Sequence, residues 1–318
     1  MQSQHIFTCT SVGELHNRLL HEETGTIGRV LNAFDTTINV RTNADELLVV
    51  TLGKLRSPVN LNVISNIDSS GFKQIVGQDA MASIQIEKVG KPNTSSLLIG
   101  EAVITIFEYD NFRNHFSLPS PDAIQAFVNN SGRIFSTLVF QAKSNRFGCL
   151  LNPDITTRGL FATFTKQLLQ DMAIADIDEF KDKISIELLE MCGKGPGFTP
   201  AGDDFIAGYM ALYNWLSDSL KHGGMMPDRR FSLLTTWTSF KLIEYSARNL
   251  LDEQAQEMIN SIADKDIDGY VRCIELISKR GHTSGIDFAT GMTMAMFTIA
   301  DRIFKAGVLE SLVQASAP

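Results

Sequence analysis

Gly193-Lys194-Gly195-Pro196-Gly197-Phe198-Thr199-Pro200-Ala201-Gly202-Asp203-Asp204-Phe205-Ile206-Ala207-Gly208 is the stretch on which the reading of this chain turns. Upstream, Ile184 to Cys192 reads as a helix stopped by Gly193. Downstream, Phe205, Ile206, Met210, Leu212 and Trp215 fall at helical spacing. The stretch is therefore a rigid loop between two helices, ending in two carboxylates at a helix start. Glycines let a backbone approach a ligand and expose N–H groups. A helix N-terminus adds partial positive charge, and Lys194 adds a full one. The plainer reading is a helix connection with Asp203 as N-cap. A cap requires one carboxylate and at most one glycine, so the length and composition of this loop favour a binding site. No strand precedes the loop, and the spacing G-x-x-x-x-G-K-[ST] is absent, which excludes a phosphate loop of the Walker type.

Outward from this loop the chain changes character. Helical signals run over 159–175, 178–192, 203–220, 228–247, 250–262, 266–280 and 286–306. Toward the N-terminus, residues 11–23 read as a short polar-faced helix. From Gly25, β-like runs follow one another: Ile27 to Phe34, Ile38 to Val40, Leu47 to Leu52, Val59 to Ile64, Ser83 to Val89 and Leu97 to Phe107. Asp122 to Leu138 reads as a helix interrupted near Asn129-Asn130-Ser131-Gly132. The turn residues Ser144 to Gly148 and Asn152-Pro153-Asp154 mark a boundary. The expected fold class is α+β. An N-terminal antiparallel β-rich domain, barrel- or sandwich-like, should span 1–155, and a mostly α-helical domain 156–318 should carry the loop.

Composition narrows the function classes. The chain has 318 residues, 44% hydrophobic and 20% charged, which suits a globular protein with an ample core. A net charge of −8 with scattered basic residues speaks against nucleic-acid binding. Met1 to His5 lacks the start of a signal peptide, and Phe288 to Ala300 is too short and too broken to span a bilayer. Cys9, Cys149, Cys192 and Cys273 form no paired spacing, so a zinc knuckle or disulfide framework is not expected and a cytoplasmic location is.

A second stretch, Gly281-His282-Thr283-Ser284-Gly285-Ile286-Asp287-Phe288-Ala289-Thr290-Gly291, echoes the first. Each has a Thr, then Asp-Phe, then a glycine four residues after the Asp. Residues i and i+4 share a helix face, and a glycine inside a helix costs about 1 kcal/mol against alanine. Close helix–helix approach would explain Gly208 and Gly291. The two N-termini would then face one pocket lined by Thr199, Asp203, Asp204, His282, Thr283, Ser284 and Asp287. Such a pocket suits a phosphate or carboxylate. His282 can donate to an anion or act as acid or base, and reads otherwise as a capping or buried histidine. The carboxylates could hold Mg²⁺ or order the loops; Asp287, which stands alone, reads equally well as a cap.

Gly193-Lys-Gly-Pro-Gly-Phe-Thr-Pro with Asp203-Asp204, together with Gly281-His-Thr-Ser-Gly and Asp287, resembles the AllH-like family. Its namesake is a subunit of oxamate carbamoyltransferase in anaerobic allantoin breakdown. The family pattern has Leu where Phe198 stands, and here Ala201-Gly202 precede the Asp pair. The resemblance implies transfer of a carbamoyl group between carbamoyl phosphate and oxamate, with phosphate and oxalurate on the other sides of the reaction. It implies His282, Asp203 and Asp204 as catalytic residues. Substrate or anion binding would fall to Lys194, Gly195, Gly197, Thr199, Gly202, Thr283, Ser284, Gly285 and Asp287. It also implies FdrA-like and AllG-like partner subunits; no cofactor is singled out, and Mg²⁺ stays possible. Two other readings stay open: a Mg²⁺-dependent enzyme acting on a phosphate-containing small molecule, and a non-catalytic anion-binding interaction subunit.

Overall fold

β1 (His5–Gly13) is paired along three stretches, and those pairings close the N-terminal unit. The ring runs from β1 to β5 (Asn60–Ser65), β4 (Leu47–Thr51), β3 (Thr37–Thr42), β2 (Gly25–Ala33), β6 (Met81–Glu87), β7 (Thr94–Ile99) and β8 (Ala102–Ile106), and back to β1. Among the described residues this is a closed eight-stranded barrel, with β9 (Asp110–Phe112) added in parallel beside Ser11–Gly13. Closure removes the sheet edges that an open sandwich would leave. Within the ring the pairings are antiparallel except β4–β5 and β1–β8, which are parallel. A parallel neighbour needs a return crossover. Here residues 52–59 supply it, held by Asn62 Nδ2, which donates to the Gly53 and Leu55 carbonyls at 2.7 and 3.0 Å.

Alternation places Phe7, Cys9, Val30, Val40, Leu48, Val50, Leu61, Leu97 and Ile104 in one buried cluster. Full burial of each Val, Leu, Ile or Phe contributes about 1.5–3 kcal/mol before chain entropy is counted. α1 (Asn17–Glu22) is shorter than the helix read over 11–23, whose first residues belong to β1. The run Leu97 to Phe107 is two strands, turned at Gly100 with φ of +58°. His16 is buried with Nε2 at 2.8 Å from the Leu47 carbonyl. Desolvation lowers its pKa to about 4, so it is a neutral structural histidine.

The computed structural model describes residues 5–22, 24–65, 71–77, 80–87, 94–144, 155–195, 197–220, 223–281 and 283–311. Two compact units result, Met1–Asn114 and His115–Pro318. Apart from Ser144, the turn residues on which a boundary at 155/156 was read lie outside the described residues. The first unit also holds α2 (Phe72–Ile75). The second begins with α3 (Pro121–Asn129), capped by Ser120, and α4 (Ser131–Ser144), with the interruption at Asn130.

The helices continue with α5 (Ile155–Asp171), α6 (Ile177–Met191), α7 (Ala201–Ser219), α8 (Phe231–Leu234), α9 (Trp237–Ala247), α10 (Glu253–Ala263), α11 (Ile267–Ile277) and α12 (Ser284–Phe304). The single helix read over 228–247 is split, because Thr235 is extended and the Thr236 hydroxyl caps α9 by accepting from Ser239 N.

α7 and α12 form the centre of the second unit. Every residue from Phe205 to Ser217 is buried, as is every residue from Ala289 to Asp301. Helices that are apolar all round belong inside a core. Around the pair lie α6 and α9 on α7, and α3, α4 and α11 on α12. Phe164 of α5 packs edge-on against Phe205 and Tyr209 at 5.3 and 5.7 Å. Among the described residues no helix is long and apolar enough to cross a membrane.

Candidate functional site

The crossing of α7 and α12 is the geometric basis of the site. A Cβ added to Gly208 would lie 2.0 Å from the Phe288 carbonyl oxygen and 3.1 Å from Met292 N. A Cβ added to Gly291 would lie 2.0 Å from the Phe205 oxygen and 2.8 Å from Tyr209 N. The two sets of contacts are reciprocal under the pairing Phe205–Phe288, Gly208–Gly291 and Tyr209–Met292. The helices are thus related by a local pseudo-two-fold axis through the crossing. The same relation holds one and a half turns earlier. Gly202 packs against the Met191 carbonyl at the end of α6, and Gly285 against the Ile277 carbonyl at the end of α11. Two helix–loop–helix units, α6–α7 and α11–α12, are therefore built alike, with the first loop the longer.

This crossing brings the two loops together at their helix starts. The Thr199 and Ser284 hydroxyls are 3.0 Å apart. Thr199 also donates to Asp204 Oδ2 at 3.2 Å, and Ser284 hydrogen-bonds the same carboxyl. Burial pushes the Asp204 pKa from 3.8 up to about 7, against the lowering influence of the Ser284 and Thr199 hydroxyls. The charge of Asp203 adds a smaller upward push. Asp204 is thus a carboxyl that changes protonation near neutrality, shared by hydroxyls from both loops. Asp287 occupies the equivalent position in the first turn of α12 and is 1% exposed.

Asp203 does something different. It is buried, its Oδ1 accepts from Gly193 N at 2.7 Å, and its Oδ2 accepts from the Thr235 hydroxyl. Burial and the neighbouring Asp203 carboxylate push the Cys192 thiol up to about 12, so it is not a nucleophile at neutral pH. Lys194, Gly195 and Gly197 lie on the exposed arc of the loop. Gly195 and Gly197 have φ of +104° and +111°, a conformation that glycine supplies. Gly202 N–H is taken by the Lys194 carbonyl at 2.9 Å, so this amide closes the loop. In the second loop Thr283 is buried, Ser284 half-buried, and Gly285 N–H reaches the Arg280 carbonyl at 3.4 Å. His282 and Pro196 lie outside the described residues.

Two residues that hold the loops carry no motif signal. Thr235 anchors Asp203, and Arg280 forks onto Asp252 through both terminal nitrogens at 2.6 and 2.5 Å, with Nε on Gln254. Asp252 itself caps α10 through Gln254 N and Ala255 N. Neither is legible from sequence, since each acts through a partner far along the chain. Among the described residues no cluster of three or more His, Cys, Asp or Glu side chains is placed to hold a metal ion. With both Asp203 oxygens engaged, the donor set for Mg²⁺ at the Asp pair is poor.

No curated protein and no solved structure matches the chain significantly. The family model described as oxamate carbamoyltransferase subunit AllH matches residues 191–296. That span runs from the last residue of α6 into α12 and contains both loops, the crossing glycines and the Asp204 junction. Over these residues the chain is similar to the AllH-like family.

Proposed function

We propose that the second unit carries the carbamoyl-transfer site of an oxamate carbamoyltransferase-like subunit. The observation that carries this reading is the junction of Thr199, Ser284 and Asp204, which joins the two loops inside the span matched by the family. In the degradative direction a phosphate oxygen attacks the terminal carbamoyl carbon of oxalurate. The carbon–nitrogen bond to the oxamate portion then breaks, and carbamoyl phosphate leaves. The attacking hydrogen phosphate must lose a proton, and the departing nitrogen must gain one. A carboxyl titrating near 7 serves both steps, taking the first proton and returning it to the nitrogen. The Ser284 and Thr199 hydroxyls offer the path, since each can donate and accept.

Lys194 and the amides of Gly195 and Gly197 supply positive potential for the phosphate. Thr283, Gly285 and Asp287 shape the second loop, while His282, carried over from the family motif, is assigned to the developing oxyanion. The word subunit in the family description supports partner proteins, for which FdrA-like and AllG-like chains are the candidates.

Thermal shift with phosphate, carbamoyl phosphate, oxamate and Mg²⁺ in turn tests the reading. Stabilisation by the anions without metal is expected. Lys194→Ala should weaken it, and added salt should narrow the gap to wild type. Stabilisation that appears only with Mg²⁺ would replace this reading with metal-dependent chemistry.

A further inference from the structure

The Asp pair divides its work, and the partner of Asp203 points to a residue outside both loops. Asp203 is 2% exposed, and each of its oxygens is engaged: one by Gly193 N–H at 2.7 Å, the other by the Thr235 hydroxyl. Thr235 stands between α8 and α9 in extended backbone, with φ −132° and ψ −179°. Its hydroxyl is not needed as a cap, because Thr236 caps α9 through Ser239 N at 3.1 Å. At the same place Gly193, with φ +71°, lies so close to the α8 end that an added Cβ would sit 2.1 Å from the Leu234 carbonyl oxygen. The next residue is fixed on both sides: Lys194 N donates to the Met191 carbonyl at 3.2 Å, and its carbonyl accepts from Gly202 N at 2.9 Å. Beyond this point Gly195, Gly197 and Phe198 are exposed. The backbone that carries Lys194 is therefore held from three directions, by the end of α6, the start of α7 and the α8–α9 joint.

We propose that Thr235 is a positioning residue of the anion loop, acting through Asp203 as a latch that sets where the Gly193–Lys194 backbone stands. The proposal rests on the reading of this loop as an anion site. A buried carboxylate carries a desolvation cost that its hydrogen bonds must offset. One that fixes a loop amide beside a binding lysine has a reason to stay. The cost of losing the latch is one charge-assisted hydrogen bond plus a carboxylate oxygen left without its donor. That cost loosens the loop rather than the helices.

The test is a pair of variants, Thr235→Val and Thr235→Ser, on the full chain. Calorimetric titration with inorganic phosphate at fixed ionic strength gives the affinity. Hydrogen exchange of the 192–203 segment gives the loop order. Thr235→Val should raise the phosphate Kd roughly tenfold, as expected for loss of a bond of this class. It should also speed exchange in the loop while the centre of α7 stays protected. Thr235→Ser should restore both, since it keeps the hydroxyl. A Val variant within about twofold of wild type overturns the proposal, as does a Ser variant as weak as Val. A wild type that takes up no phosphate overturns the anion reading and with it the positioning role. In that case faster loop exchange in the Val variant would still distinguish a real latch from one that was never there.

Discussion

Gly208→Ala puts a methyl where the structure has a backbone carbonyl. The new Cβ would lie 2.0 Å from the Phe288 oxygen, roughly 1.5 Å inside ordinary contact. Alanine is preferred over glycine in a helix by about 1 kcal/mol, so on an open helix the change would stabilise. Here the obstruction is backbone on a helix packed on all sides, and relief requires α7 and α12 to move apart. Overpacking of this kind costs about 1–3 kcal/mol, and separation also strains the bonds Thr199–Ser284 and Tyr209–Thr298 that bridge the pair. We expect a net loss of about 2 kcal/mol, which lowers Tm by roughly 4–8 °C for a unit of this size. Gly291→Ala should behave alike, because its contact with the Phe205 oxygen is the reciprocal one.

The double variant is the sharper test of this crossing. Once one methyl has parted the helices, the second finds room at the same place. The double should therefore cost about as much as either single, with a coupling of about 2 kcal/mol. Trp215 and Trp237 both lie in the second unit, so denaturant unfolding followed by tryptophan fluorescence reports on it. Gly159 of α5 has nothing within 4 Å of an added Cβ and serves as the open control, where alanine should stabilise. A stabilised Gly208→Ala, or strictly additive costs in the double, would refute the reciprocal crossing.

Asp204 holds a proton in the native chain between pH 3.8 and about 7 that the unfolded chain has released, so its contribution to stability falls as pH rises across that window. Asp204→Asn should flatten the pH dependence of unfolding there, measured as the difference between the two chains; equal slopes would reject the raised carboxyl. The thiols of Cys9, Cys192 and Cys273 are pushed up to about 12, 12 and 11 by burial, and should react with a thiol reagent at pH 8 only after unfolding. Rapid native labelling of Cys192, read by peptide mapping, would contradict the packing around the first loop.

The loops were legible because their chemistry is local. Four glycines, two prolines and an Asp pair within a dozen residues leave few alternatives, and the spacing of Asp204 to Gly208 and Asp287 to Gly291 forecasts a helix crossing. β1 was illegible for the opposite reason. Its inward residues include Cys9, Ile6 faces out at 48% exposure, and the register shifts between Cys9 and Ser11, so apolar alternation is weak and only pairing with three neighbours defines the strand. The break at Thr235 was hidden inside an apolar helical pattern, since a Thr-Thr pair is tolerated in a helix and Asp203 lies 32 positions away in sequence. The different tasks of Asp203 and Asp204 follow from which neighbour each carboxyl meets, which adjacency in sequence does not reveal.

Phosphate-dependent cleavage of oxalurate tests the central claim most directly. It is measured with the chain alone and with FdrA-like and AllG-like partners, comparing wild type with Ser284→Ala, Lys194→Ala and His282→Ala. If the two loops form one carbamoyl-transfer site, wild type cleaves oxalurate in at least the reconstituted complex, and Ser284→Ala loses turnover by roughly 10²-fold or more, in the range of proton-transfer contributions. Lys194→Ala should then raise the phosphate KM, and His282→Ala should lower kcat more than it raises KM. Wild-type turnover in all three variants would contradict the account and leave the loops as structural caps at a helix crossing.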